Sequence, residues 1–274
     1  MYNVKIYRFL DEEAQIRFYK NPITAKTRKI DDTVDFEVQQ SEKRRVIEGS
    51  QVDLKDYLKE KDSLEEKKRR SFVTSVNRTK NKIYEYARAN KWDYFITYTL
   101  DPRKTDRYDY DVCSAQVSKF FRNIKYRKAK NMKYLLVPEL HKDGAYHFHA
   151  LVADADGLTF VDSGHKDKKG RIVYNLKDYT LGFTTATKIT DTFRVSNYLT
   201  QYITENLCST LPGKKRYWAT RNLDKPEIEK IYYANKKELY QYYKSIKKLA
   251  MHSKKIDIEV DDYKNEINIF ELKI

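Results

Sequence analysis

The sequence predicts an α+β fold, an antiparallel sheet flanked by helices, on three observations. Between residues 71 and 207 the hydrophobic periodicity alternates in the order helix, strand, helix, strand, strand, strand, helix. Asp143-Gly144 is a hairpin signal between two apolar runs, which should therefore pair antiparallel. With seven Gly in 274 residues the chain has neither GxGxxG nor GxxxxGK[ST], which argues against a parallel dinucleotide-binding fold and an NTPase motor.

Taken in order, residues 1–70 form an N-terminal accessory region. It opens with a strand-like Tyr2 to Leu10 and ends in Lys55 to Arg70, charged enough for an exposed helix or linker. From Ser71, the residues Phe72, Val73, Val76, Ile83, Tyr84 and Ala87 recur at helical spacing, and Ala89-Asn90-Lys91 closes that helix. Trp92 to Leu100 follows as a strand ended by Asp101-Pro102, and Val112 to Tyr126 is a helix burying Val117, Phe120, Phe121 and Ile124. Met132–Leu140 and Tyr146–Ala153 are the two arms of the hairpin. A variable loop over Asp154–Lys169 leads to strand-like Arg171–Leu176 and Phe183–Ile189. A helix over about Asp191–Leu207 follows, with Val195, Leu199, Ile203 and Leu207 on its buried side. Pro212-Gly213 ends a central domain of residues 71–212. Residues 213–274 read as a basic, aromatic-rich C-terminal extension: Lys214-Lys215-Arg216-Tyr217-Trp218, a helical stretch from about Pro226 to Met251, and a terminal hairpin through Ile256/Ile258/Val260 and Ile267/Ile269.

Composition narrows the partner. Lys+Arg of 55 against Asp+Glu of 40 gives a net charge of +15, the footprint of a protein whose partner is densely negative, with nucleic acid the leading candidate. The 24 Tyr and 12 Phe supply faces on which unpaired bases can stack as well as core material. Cys113 and Cys208 lie far apart with no CxxC spacing, so neither a zinc knuckle nor a disulfide framework is indicated. No apolar run approaches about 18 residues and the N-terminus lacks a signal-peptide pattern, so a soluble, cytoplasmic protein with no membrane partner is expected.

The chemistry concentrates around His147-Phe148-His149. The chain has five His, and three lie between His141 and His149. Residues two apart in a strand share a face, so the two imidazoles converge while Phe148 turns into the core. Glu139 is the candidate third ligand if Lys142-Asp143-Gly144 is a three-residue loop with a left-handed glycine, which sets Glu139 opposite His147. A two-residue loop pairs it with Phe148 instead and points it away. The glycine favours the first register, and His141, on the same face nearer the turn, is the rival ligand. Two imidazoles and a carboxylate leave coordination positions open and tolerate Mn²⁺, Mg²⁺, Zn²⁺ or Ni²⁺. Tyr198 and Tyr202, four residues apart on the last core helix, place two phenols one turn from each other at the border of the buried stripe.

Together these residues resemble the HUH endonuclease superfamily, specifically the two-tyrosine rolling-circle replication initiators of small single-stranded DNA phages and plasmids. Phe95-Ile-Thr-Tyr-Thr-Leu100 resembles the family's first motif, Tyr146-His-Phe-His-Ala-Leu-Val152 its metal motif, and Ser196-Asn-Tyr-Leu-Thr-Gln-Tyr-Ile-Thr204 its tyrosine motif, in the family's order. The resemblance implies a ferredoxin-like, RRM-like core and a divalent metal, Mn²⁺ or Mg²⁺, held by His147, His149 and Glu139. It also implies attack by Tyr198 or Tyr202 on origin single-stranded DNA or an origin hairpin, giving a 5′-phosphotyrosine link and a free 3′-OH. A host helicase and polymerase are the implied partners. DNA contacts are expected from Arg194, Lys214, Lys215, Arg216, Tyr217 and Trp218. The family's lysines beside the second tyrosine are replaced by Gln201 and Glu205, for which Arg194 is a candidate substitute. A relaxase or transposase with the same chemistry, and a non-catalytic single-strand-binding module on the same fold, are the alternatives.

Overall fold

A computed structural model describes residues 1–10, 12–25, 27, 57–260 and 263–273. The chain forms two antiparallel sheets flanked by five helices among the described residues, the α+β class that the periodicities predict. It divides into two compact units, one made of residues 1–7, 13–81 and 228–274 and the other of residues 8–12 and 82–227.

In the first unit, strands β1 (Tyr2–Arg8), β2 (Glu13–Ile23), β10 (Glu227–Ile231), β11 (His252–Val260) and β12 (Tyr263–Lys273) build a sheet in the order β10-β1-β2-β12-β11. One face buries Val4, Ile6, Ile16, Phe18, Phe270 and Leu272 under helix α5 (Lys236–Leu249). A second cluster holds Tyr2, Tyr19, Ile267 and Ile269. Buried polar groups are paired: Gln15 Nε2 donates to Glu271 Oε1 at 2.6 Å, and Arg17 donates to Gln15 Oε1 at 2.7 Å and to the Tyr7 hydroxyl at 2.8 Å. The terminal hairpin pairs Ile256 with Ile267 as its alternation foretells. Its partner in the sheet is the N-terminal strand β2, with Ile267 opposite Tyr19. The N-terminal region and the C-terminal extension, drawn separately from the sequence, thus share one sheet.

Three stretches differ from the sequence reading. Lys55–Arg70 and the helix after Ser71 belong to one helix, α1 (Tyr57–Arg88); Lys55 and Asp56 lie outside the described residues. The helix expected from Pro226 is the strand β10 followed by α5, whose start is fixed by Asn235, with its side chain accepting from Lys237 N at 2.9 Å. The loop assigned to Asp154–Lys169 contains β6 (Phe160–Lys166), a polar edge strand whose half-exposed residues give almost no alternation to read.

The second unit carries β3 (Tyr94–Leu100), β4 (Lys133–Leu140), β5 (Tyr146–Ala153), β6, β7 (Ile172–Leu176), β8 (Gly182–Lys188) and β9 (Trp218–Ala219). Their order is β6-β7-β8-β3-β5-β4-β9. Helix α2 (Tyr110–Arg127) starts at Asp109, whose carboxylate accepts from Asp111 N and Val112 N. It buries Val117, Phe121 and Ile124 on the face carrying Tyr98 and Tyr134, with Phe121 ring centroids 5.3 and 4.4 Å from theirs. Cys113 and Cys208 are buried free thiols. No helix among the described residues is long and apolar enough to cross a membrane.

Gly182 lets β8 leave the turn against β3: a Cβ there would lie 2.1 Å from Thr99 O and 2.7 Å from Asp101 N, both backbone atoms that cannot swing aside. Gly182→Ala is therefore expected to lower stability by about 1–3 kcal/mol, measured by denaturant unfolding. An unchanged midpoint would mean that the strand ends give way without cost.

Candidate active site on the central sheet

The hairpin takes the three-residue form. His141 N donates to Ala145 O at 2.9 Å, Gly144 has φ of 86°, and Glu139 stands opposite His147. Because Gly144 absorbs the left-handed turn, Glu139, His147 and His149 project from one face of adjacent strands, while Phe148 is fully buried on the other.

Side chains refine that register. Glu139 Oε2 meets not the directly opposite His147 but its diagonal neighbour, lying 2.7 Å from His149 Nε2. The other nitrogen of His149, Nδ1, lies 3.1 Å from Thr97 Oγ1, and β3 sets Thr97 opposite His149. His149 is only 4% exposed. Burial pulls its pKa below the usual imidazole value against the opposing pull of Glu139. The hydrogen bond to His149 holds the Glu139 carboxyl below its ordinary value, against its own burial. His147 is half-buried, and burial followed by the neighbouring His141 lowers its pKa as well. Its ring stacks on His141 with centroids 5.0 Å apart, and His141 Nδ1 lies 3.3 Å from Asp143.

The donor chemistry suits a divalent cation: one carboxylate kept ionised and two imidazoles kept neutral. A neutral His149 carries one ring hydrogen. If it sits on Nδ1 and donates to Thr97, the bare Nε2 lone pair faces a carboxylate, an arrangement that a cation between them relieves. Among the described residues no three His, Cys, Asp or Glu side chains are already gathered as a metal cluster, because His147 faces His141.

The expected long helix over Asp191–Leu207 breaks in two. Helix α3 (Thr192–Thr200) is capped by Asp191, and α4 (Glu205–Ser209) by Thr204, whose hydroxyl accepts from Leu207 N. Side-chain hydroxyls compete with the helix at the break, where Thr200 Oγ1 donates to Asn197 O at 2.7 Å. Leu199, Ile203 and Leu207 are nevertheless fully buried, as the periodicity required. Tyr198 is in the last turn of α3, and Tyr202 is in the turn beyond it. That break drops the Tyr202 ring onto His149, with centroids 3.7 Å apart and planes 9° apart. Tyr198 packs edge-on to Tyr202 at 5.2 Å and against Phe95 at 5.4 Å. Burial, then a hydrogen bond with Tyr198, then the charge of Glu139 push the Tyr202 phenol far above its ordinary pKa. Tyr198 is 48% exposed.

The expected DNA-binding residues are dispersed. Arg194, three-quarters exposed, reaches Asp191 at 3.8 Å. Lys214 pairs with Asp111 at 2.6 Å and Lys215 lies 5.6 Å over the Trp218 ring. Trp218 pairs through β9 with Leu136 and packs on Phe148, on the sheet face away from the imidazoles. Arg216 and Tyr217 are partly buried, and Tyr217 has its phenol raised by burial. Gln201 and Glu205 are exposed. Sequence reasoning assigned no role to Thr97; its parity with His149 across β3 and β5 was the available signal.

Comparison with curated proteins and with solved structures finds no match. Residues 93–207 match the family model for replication-associated proteins of the ORF2 and gene 2 protein type, which supports a replication-initiator role for a stretch that contains Thr97, Glu139, both imidazoles and both tyrosines.

Proposed function

We propose that the chain is a metal-assisted, site-specific endonuclease and strand transferase that nicks single-stranded DNA at an origin to start rolling-circle replication, as in phage or plasmid initiators. The single observation that carries this reading is the stack of Tyr202 on His149 while Glu139 holds the same imidazole at 2.7 Å, which sets phenols against a prospective cation site. Glu139, His147 and His149 would hold Mn²⁺ or Mg²⁺, which when bound offsets charge on the scissile phosphate oxygens.

Tyr198, the exposed phenol, is the first nucleophile. Its oxygen bonds to phosphorus, the P–O3′ bond breaks, and the leaving O3′ takes up a proton equivalent to the one lost by the phenol. The products are a 5′-phosphotyrosine and a 3′-OH for a host polymerase. Tyr202 stays protonated while stacked and attacks only after leaving His149, which permits a second transfer and rejoining of strands. Because the sequence lacks a P-loop, strand separation falls to a host helicase. Exposed Gln201 and Glu205 in place of the expected lysines favour one second reading, a single-strand-binding module without catalysis. A relaxase or transposase would share the chemistry and differ in the DNA recognised.

The test is incubation with origin single strands and Mn²⁺, followed by denaturing electrophoresis. A covalent adduct that EDTA prevents is expected, and DNA binding without an adduct under any divalent ion supports the binding module instead. Thr97→Val, which removes the hydroxyl orienting His149, is expected to weaken metal binding about 10–100-fold by calorimetry. Unchanged affinity would dissociate Thr97 from the site.

A further inference from the structure

The loop joining β3 to α2 lies at the tip of the same hairpin. Tyr146 N, one residue before His147, donates to Arg107 O at 2.8 Å, and an Arg107 guanidinium nitrogen lies 3.6 Å from Asp143. Residues 102–108 line an open cavity of about 410 Å³. Its backbone is held in place: Lys104 N and Thr105 N donate to Asp101 O, and Tyr108 N donates to Asp106.

Three cations lie in this loop, and two are committed to the protein. Arg103 is paired with Asp101 at 2.9 Å, and Lys104 Nζ donates to Thr180 O at 3.0 Å. Arg107 differs. Its side chain is 26% exposed, its contact with Asp143 is long, and its Nε is buried with no hydrogen-bond partner among the described residues. Asp143 is meanwhile engaged by Ala145 N at 3.0 Å and by His141. A fixed guanidinium with an unmet buried donor calls for an anionic acceptor with several oxygens, which a phosphodiester supplies. Beside it, the Tyr108 ring is 56% exposed with its centroid 5.6 Å from the guanidinium carbon, a face available to an unpaired base.

We propose that this loop binds the single strand at a nucleotide flanking the cleavage point, with Arg107 on its phosphate and Tyr108 against its base. Resting on the nuclease reading, this deepens it: Arg107 supplies from a different element the cationic contact that Gln201 and Glu205 cannot. A positively charged clamp here fixes the strand relative to Glu139 and His149 without depending on the tyrosine helix.

Fluorescence anisotropy of the full chain with a labelled origin single strand, over a salt series, tests it in wild type, Arg107→Ala, Arg107→Lys and Asp143→Asn. The expected result for Arg107→Ala is a Kd raised on the order of 10-fold, with the slope of log K against log salt smaller by about 0.7, the loss of one single-strand phosphate contact. Arg107→Lys recovers part of both, and Asp143→Asn binds at least as tightly as wild type. Arg107→Ala matching wild type overturns the proposal, as does equal weakening by Arg107→Ala and Asp143→Asn, which would make the guanidinium a prop for the hairpin. Adduct formation in parallel separates the two readings. A wild type that binds with the Arg107 signature but never attaches covalently refutes the nuclease and keeps the clamp, whereas Arg107→Ala that binds and attaches normally refutes the clamp alone.

Discussion

The double substitution Tyr198→Phe, Tyr202→Phe is expected to abolish covalent attachment to DNA, a loss of at least about 10³-fold, while leaving the protein folded and able to bind the strand. Both rings remain, so the stack on His149 and the edge contact between positions 198 and 202 persist. Only the hydroxyls go, together with a hydrogen bond whose net worth is about 1 kcal/mol. The single variants should differ. Tyr198 is half exposed, whereas the Tyr202 phenol is kept protonated by burial, its partner Tyr198 and the charge of Glu139. Tyr198→Phe should lose the first cleavage, and Tyr202→Phe should retain it but fail to transfer a second strand. Equal first-cleavage rates in the two single variants would contradict this order.

Glu139→Gln carries the second large effect. The amide keeps the size of the side chain and can still hydrogen-bond His149, but it removes the one carboxylate in the trio. Divalent metal affinity should fall at least about 100-fold, and cleavage with it, more than for a residue that only orients a ligand. His141→Ala should cost far less, because that ring is half exposed and turned to His147 and Asp143 rather than to Glu139. Titration calorimetry with Mn²⁺ checks both. A larger loss at His141 than at Glu139 would transfer the ligand role to the rival histidine.

Much of this site was legible because its signals are local. The register of Glu139 follows from Gly144, since a left-handed turn residue fixes the loop length and loop length fixes which face each side chain takes. The two histidines share a face by strand period alone. What the sequence could not give is the diagonal pairing of Glu139 with His149, which depends on side-chain rotamers, or Thr97 at Nδ1, which depends on which strands become neighbours. The break after Thr200 was hidden because Leu199, Ile203 and Leu207 keep helical spacing across it. The shared sheet of β2 and β12 was invisible for a different reason: its partners are separated by nearly the whole chain, and alternation reports that a strand exists without naming what it pairs with. β6 and β10, short and polar, lacked even that alternation.

The proposed function stands or falls on whether a phenol of this chain becomes joined to DNA beside a metal-binding imidazole. The decisive experiment is mass spectrometry of the protein digested after reaction with an origin single strand and Mn²⁺. A nucleotide phosphate is expected on the peptide containing Tyr198, absent when EDTA is present. An adduct mapped to any residue other than Tyr198 or Tyr202, or cleavage of the strand with no protein-bound phosphate, would contradict it.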